Sequence, residues 1–160
     1  MDRKASGHSW RSVTQRSREF TVTDSNRVYK RSFTIPTDAI DENGHANNVA
    51  YVQWIQDIAV EHYASIGGIE AQGKDATWVI REHKIEYFLP AFAGEEIEIK
   101  TWVENIRRVR SLRKYEFVRR SDGRVLVRGE TDWVFVDAKT GKPLPIPEEV
   151  SKVFTISREA

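Results

Sequence analysis

The chain of 160 residues contains no cysteine. That excludes disulfides, a thiol nucleophile and thiolate metal ligands. It is compatible with a reducing compartment, and the chain is read as cytoplasmic. Long apolar runs are also lacking: none approaches the roughly 20 residues of a membrane span, and no secretory hydrophobic segment is present. No membrane partner is therefore expected. Charge of one sign is lacking as well. The 25 Lys and Arg residues are balanced by 24 Asp and Glu, for a formal net charge of +1, so the whole chain has no bias toward nucleic acid. No second His or Cys stands at ligand spacing from any His, and no metal site is expected.

What is present is an ordinary globular composition, 39% hydrophobic and 31% charged, in a length sufficient for one domain with its own core. Residues 1–27 are polar and carry Arg3, Lys4, Arg11, Arg16 and Arg18 among several serines. They read as a flexible N-terminal extension, followed by one domain over 28–155 and a short tail over 156–160.

Val28 to Ile35 reads as a strand that ends at Pro36. Thr37 to Asn47 is rich in Asp, Asn and Gly, which is turn chemistry. From Asn48 to about Ile66 the spacing of Val52, Ile55, Ala59, Tyr63 and Ile66 is helical. Tyr51, Trp54 and Ile58 widen the apolar stripe so far that the helix should be mostly surrounded by protein. Asn47 or Asn48 suits the N-cap, and Gly67-Gly68 a stop. Four strands should follow: Thr77 to Leu89, one alternating from Glu96 to Val103, one carrying Tyr115, Phe117 and Arg119 on one face, and a long one ending near Asp137. Asp122-Gly123 makes the hairpin turn between the last two. Glu148 to Phe154 could form a short terminal helix. A strand, a long buried helix and four successive strands predict an α+β domain, with one sheet wrapped around one helix.

The segment Asp41-Glu42-Asn43-Gly44-His45-Ala46-Asn47-Asn48 carries the chemistry. Its carboxylate lies seven residues before the expected start of a buried helix. Helix N-termini present unpaired amides with a positive partial charge, which can stabilise a developing oxyanion. A nearby carboxylate can act as nucleophile or as general base toward water. Asp and Asn also build turns and caps, so both readings stand for Asp41, Asn47 and Asn48.

The loop, with Tyr51 and Trp54 following on the helix, resembles the 4-hydroxybenzoyl-CoA thioesterase-like family of hotdog proteins. Asp41, Gly44-His45, Asn47-Asn48 and Tyr51 carry the resemblance. Glu82, Ile85-Glu86-Tyr87, Pro90, Gly94 and the run Thr131 to Asp137 extend it over roughly residues 28–155. Plant acyl-carrier-protein thioesterases share much of the same loop. Many relatives have two acids spaced Asp-x-Asp before the glycine; here the first position is Ala39, and Asp41 holds the second. Another branch has His where this chain has Asn48.

The resemblance implies a hotdog fold and an acyl-CoA thioesterase. Asp41, Asn48 and His45 would be catalytic, with Asp41 as base or nucleophile and the helix N-terminus near Asn48 as oxyanion donor. Gly44, Asn47, Tyr51 and Trp54 would bind substrate. It also implies a homodimer or homotetramer with the site at the interface, and no cofactor beyond the coenzyme A of the substrate. The alternatives are an acyl-carrier-protein thioesterase and a non-catalytic acyl-binding module on the same fold.

Other residues have blander readings. His62 and His83 read as packed or surface histidines. Arg107, Arg108, Arg110, Arg113, Lys114, Arg119 and Arg120 could hold the phosphates of coenzyme A or bind nucleic acid, but read first as a solvated strand face, with alternation placing only some on one side. Trp54, Trp78 and Trp102 could line an acyl pocket or serve as core.

Overall fold

The computed structural model describes residues 28–154. The expected N-terminal extension and the C-terminal tail lie outside the described residues. Five strands form one antiparallel sheet: β1 (Tyr29–Thr34), β2 (Ala76–Tyr87), β3 (Glu96–Ile106), β4 (Arg110–Arg119) and β5 (Val125–Asp137). Their order across the sheet is β1-β3-β4-β5-β2. The long helix α1 (Asn48–Ser65) connects β1 to a short α2 (Gly68–Gln72), and α3 (Glu148–Val153) closes the described chain.

Alternation decides which side chains meet α1. Ile97, Ile99, Thr101 and Val103 of β3 are buried, as are Arg113, Tyr115 and Phe117 of β4. Opposite β4, Phe117 pairs with Val127, Tyr115 with Gly129 and Arg113 with Thr131 of β5. In β2 the register shifts between Ile80 and Glu82. The extra residue is Arg81, and it changes the parity of the strand. Trp78 and Ile80 before the bulge therefore share a face with His83 and Ile85 after it.

The buried face of α1 is Tyr51, Ile55, Ile58, Ala59 and His62, spaced at one and two helical turns. Ile55 and Ile58 are fully buried, and each contributes about 1.5–3 kcal/mol by leaving water. Gly129 admits this helix to the sheet: a Cβ there would lie 3.0 Å from Ile55 Cδ1 and 3.5 Å from Tyr115 Cδ2. The stripe is narrower than the sequence pattern implies. Val49 and Val60 stand 72% and 55% exposed on the other side of α1.

Two further differences have local causes. Gly67 adopts φ 82° and ends α1, as a left-handed glycine does, but Gly68 opens α2 instead of a loop. After β5, the segment carrying Pro143, Pro145 and Pro147 runs back over the sheet. Leu144 N–H donates to Phe135 O and Ile146 N–H to Arg108 O, both at 2.9 Å, which brings α3 against a second apolar cluster around Phe135 and Val103.

Candidate active site

Ile40 and Ala46 form an isolated antiparallel bridge, and the five residues between them make a tight loop. Within it, Gly44 N–H donates to Asp41 O at 3.0 Å and Asp41 N–H to His45 O at 3.1 Å. Gly44 sits at φ 85°, a left-handed conformation that disfavours side chains. Two bonds moor the loop. Asn47 N–H reaches Ala39 O, and Ala46 N–H reaches Ala91 O, each at 2.8 Å.

The loop holds Asp41 opposite His45, one residue inside the Ile40–Ala46 bridge, and leads directly into α1. Asp41 Oδ1 accepts from Asn43 N–H at 2.9 Å, so the turn-building reading of this residue holds. Its second carboxylate oxygen has no hydrogen-bond partner among the described residues. Asn47 is the N-cap: its side-chain oxygen accepts from Val49 N–H at 2.9 Å. Ala50 N–H donates to Asn47 O at 3.0 Å. The Asn48 N–H, which precedes these two satisfied amides, has no acceptor among the described residues. It is one of the orphan donors that a helix start supplies, and it carries the positive end of an 18-residue helix. Asn48 is exposed and Asp41 and His45 half-buried, so a ligand can reach this end of the helix.

Tyr51 and Trp54 are placed differently. Tyr51 is 3% exposed and packs edge-on against Trp54, Tyr87 and Phe117, with ring centroids 5.1–5.5 Å away. Burial first, then the neighbouring Tyr87 and Glu95, pushes its hydroxyl up to about 12. Trp54 also leans on Phe33 at 4.8 Å. The structure thus gathers Asp41, Gly44, His45, Asn47 and Asn48 on one loop and sets the two aromatics in the packing beneath it.

Sequence reasoning missed the supports of the loop. Tyr87 O–H donates to Asn48 O at 3.1 Å. Arg119, counted in the basic run, instead braces the turn beneath the site. Its guanidinium ion-pairs with Glu95 at 2.6 Å and donates to Pro90 O at 2.7 Å, while Glu95 accepts from Phe92 N–H at 2.6 Å. Pro90 and Gly94 marked that turn, but nothing local linked it to Arg119.

The rest of the basic run is mostly neutralised. Arg110 forks onto Asp132, Lys114 pairs with Glu130 at 3.5 Å, and Arg120 lies near Glu96 and Glu98. Arg107 and Arg108 are exposed at the turn between β3 and β4. Arg113 and Lys114 are buried, 3% and 1% exposed, against the expectation of a solvated face. The two strand and helix histidines are packed. His83 Nδ1 lies 2.8 Å from Thr131 Oγ1. His62 Nδ1 lies 2.8 Å from Arg113 Nη1, and burial, then the Arg113 charge, lowers the His62 pKa to about 3. No helix among the described residues is long and apolar enough to cross a membrane.

A sheet wrapped on one helix, with a carboxylate-bearing loop at the helix N-terminus, defines a class of fold, and comparisons with known proteins give its family. The Thioesterase-like superfamily profile matches residues 35–154. The chain is 24% identical over 139 residues to a chloroplastic acyl-[acyl-carrier-protein] hydrolase of Cuphea viscosissima, covering 82% of this chain and 34% of that one. It is 27% identical over 134 residues to a chloroplastic dodecanoyl-[acyl-carrier-protein] hydrolase of Cinnamomum camphora, covering 77% and 34%. The chain thus spans about a third of the length of these plant relatives. Among solved structures, a 1,4-dihydroxy-2-naphthoyl-CoA thioesterase from Synechocystis superposes with a TM-score of 0.66 at 16% identity, covering 80% of this chain and 96% of that one. The protein belongs to the Thioesterase-like superfamily and has its hotdog fold.

Proposed function

We propose that the protein hydrolyses an acyl thioester, with acyl-CoA as the substrate and Asp41 as the essential carboxylate. One observation supports this above others: the bridged loop that leads into α1 holds Asp41 with one carboxylate oxygen unengaged, and the helix start that follows has an Asn48 amide with no acceptor among the described residues. The thioester carbonyl oxygen is received by the Asn48 N–H. Asp41 either draws a proton from water or attacks the carbonyl carbon itself. Negative charge moves onto the carbonyl oxygen and is held by the amide and the helix dipole. Collapse of the tetrahedral species expels the thiolate, which takes up a proton. The water route leaves the free acid directly, and direct attack leaves an Asp41 mixed anhydride that water then hydrolyses to the free acid. His45, adjacent on the loop, contacts the substrate or assists proton transfer.

Acyl carrier protein is a second possible bearer of the thioester, favoured by the two plant hydrolases to which the chain is similar. We also propose a homodimer joined through β2, an edge strand of 12 residues whose outer side has no strand partner among the described residues. The partner would cover Val79, 44% exposed on that strand, and complete the site.

The test is release of free thiol from aromatic, short, medium and long acyl-CoAs, and from the corresponding acyl carrier protein thioesters. Wild type is compared with Asp41→Asn, whose amide oxygen can still accept from Asn43 N–H. Loss of about 10³-fold or more in kcat in a folded variant is the expected outcome. Equal activity of the two proteins would remove Asp41 from the mechanism. A wild type inert toward both carriers would favour an acyl-binding module.

A further inference from the structure

At the other end of α1 a cavity of about 270 Å³ opens between the helix, α2 and the sheet, with Val60, Ile69, Trp78, Trp133, Phe154 and Arg113 among its lining residues. From Asn48 to Val60 the helix rises about 18 Å, so this cavity is separate from the Asp41 loop. Its walls are mainly apolar, and three of its polar side chains, Trp78, Trp133 and Arg113, are donors only. The buried indole N–H groups of Trp78 and Trp133 lie beside the Tyr63 and Tyr115 hydroxyls, respectively, without a well-formed hydrogen bond.

Arg113 is the decisive residue. It is 3% exposed, and no Asp or Glu lies within ion-pair distance among the described residues. Nη1 donates to His62 Nδ1 at 2.8 Å and Thr101 Oγ1 at 3.1 Å, both neutral acceptors, since a guanidinium has nothing to accept with. The charge also lies 5.8 Å from the Phe154 ring. These bonds occupy one nitrogen of a fork that offers five N–H donors. Buried arginines are normally paired with a carboxylate or phosphate, because an uncompensated charge in a low-dielectric setting is costly. Burial lowers the Arg113 pKa, and only the Tyr115 hydroxyl is placed to offset this.

We infer that this cavity is a second ligand site, which takes a carboxylate carried on a small apolar body, with Arg113 as its counter-charge and the two indoles as further donors. Bidentate binding by guanidinium suits a carboxylate better than any neutral group of equal size. The carboxylate is that of a free carboxylic acid, since a short acyl chain held at the Asp41 loop would not span the roughly 18 Å to this cavity.

Octanoate, with octanamide as the neutral isostere, tests the site by calorimetry and thermal shift on the full chain. Octanoate should bind at least tenfold more tightly than octanamide, and Arg113→Gln should abolish that preference. Equal binding of acid and amide by the wild type overturns the inference without recourse to a variant. So does an Arg113→Gln protein that is folded and keeps the preference, or binding of neither compound. The Asp41→Asn protein should bind octanoate as the wild type does, which keeps this result independent of the proposed hydrolysis.

Discussion

At the scale of single residues, His62 shows how a position can be chemically constrained without being catalytic. Its imidazole is 2% exposed, stacks on Tyr29 at 5.1 Å and accepts from Arg113. It is therefore neutral in the fold, with a pKa of about 3, against 6.5 in a free chain. Between those values the unfolded chain binds the proton and the folded chain does not, so stability falls as pH is lowered below about 6.5. By pH 5 the loss from this residue is about 2 kcal/mol. Chemical denaturation from pH 7 to 5 should show this slope, and His62→Gln, which keeps an acceptor for Arg113, should flatten it. His83, whose pKa burial also lowers, adds to the slope in the same direction. The Asp41 loop was legible in the sequence because turn residues, a glycine and a cap are local signals. Arg113 was not, since it sits in a run of basic residues, and strand alternation separates two faces without saying which one meets the helix.

At the scale of elements, the five strands and α1 were legible because each has a clear period, of two or of 3.6 residues. The Arg81 bulge was not, because a change of parity within β2 leaves no mark in a sequence until the partner strand is known. Nor was α2 foreseen, since a Gly-Gly pair signals a stop and gives no sign of a restart. The Asn47 cap is the most testable local feature. It satisfies the Val49 amide, and removing a cap of this type costs about 1 kcal/mol. Urea denaturation should show that loss in Asn47→Ala and far less in Asn47→Asp, which retains the acceptor. The Asn47 N–H bond to Ala39 O uses backbone only, so the Ala variant should keep the loop moored while its helix start loosens.

At the scale of the whole molecule, α1 is only partly enclosed by its own chain. Val49 and Val60 on the helix, Val79 on β2 and Ile69 on α2 are all 44% exposed or more. The sequence reading of a helix surrounded by protein and the structure's half-open helix agree if a second chain supplies the missing cover. Sedimentation at micromolar concentration should find a dimer in the wild type. Val79→Lys, a charge placed on the edge strand, should shift it toward monomer. A wild type that is monomeric throughout would remove the β2 pairing.

The strand order also sets a timetable for synthesis. β2 joins the sheet only through β5, with Ala76 opposite Asp137 some sixty positions later. At ribosomal speeds of about 5–20 residues per second, β2 waits roughly 3–12 s after it is made before its partner exists. β1 waits as long, because its partners lie on β3, with Thr34 opposite Glu96 and Tyr29 opposite Thr101, some sixty to seventy positions later. The nascent chain must therefore hold an unpaired strand of 12 residues while β3, β4 and β5 are made. The charges of Arg81, Glu82, Lys84 and Glu86 within that strand keep it from pairing with another nascent chain in the interval.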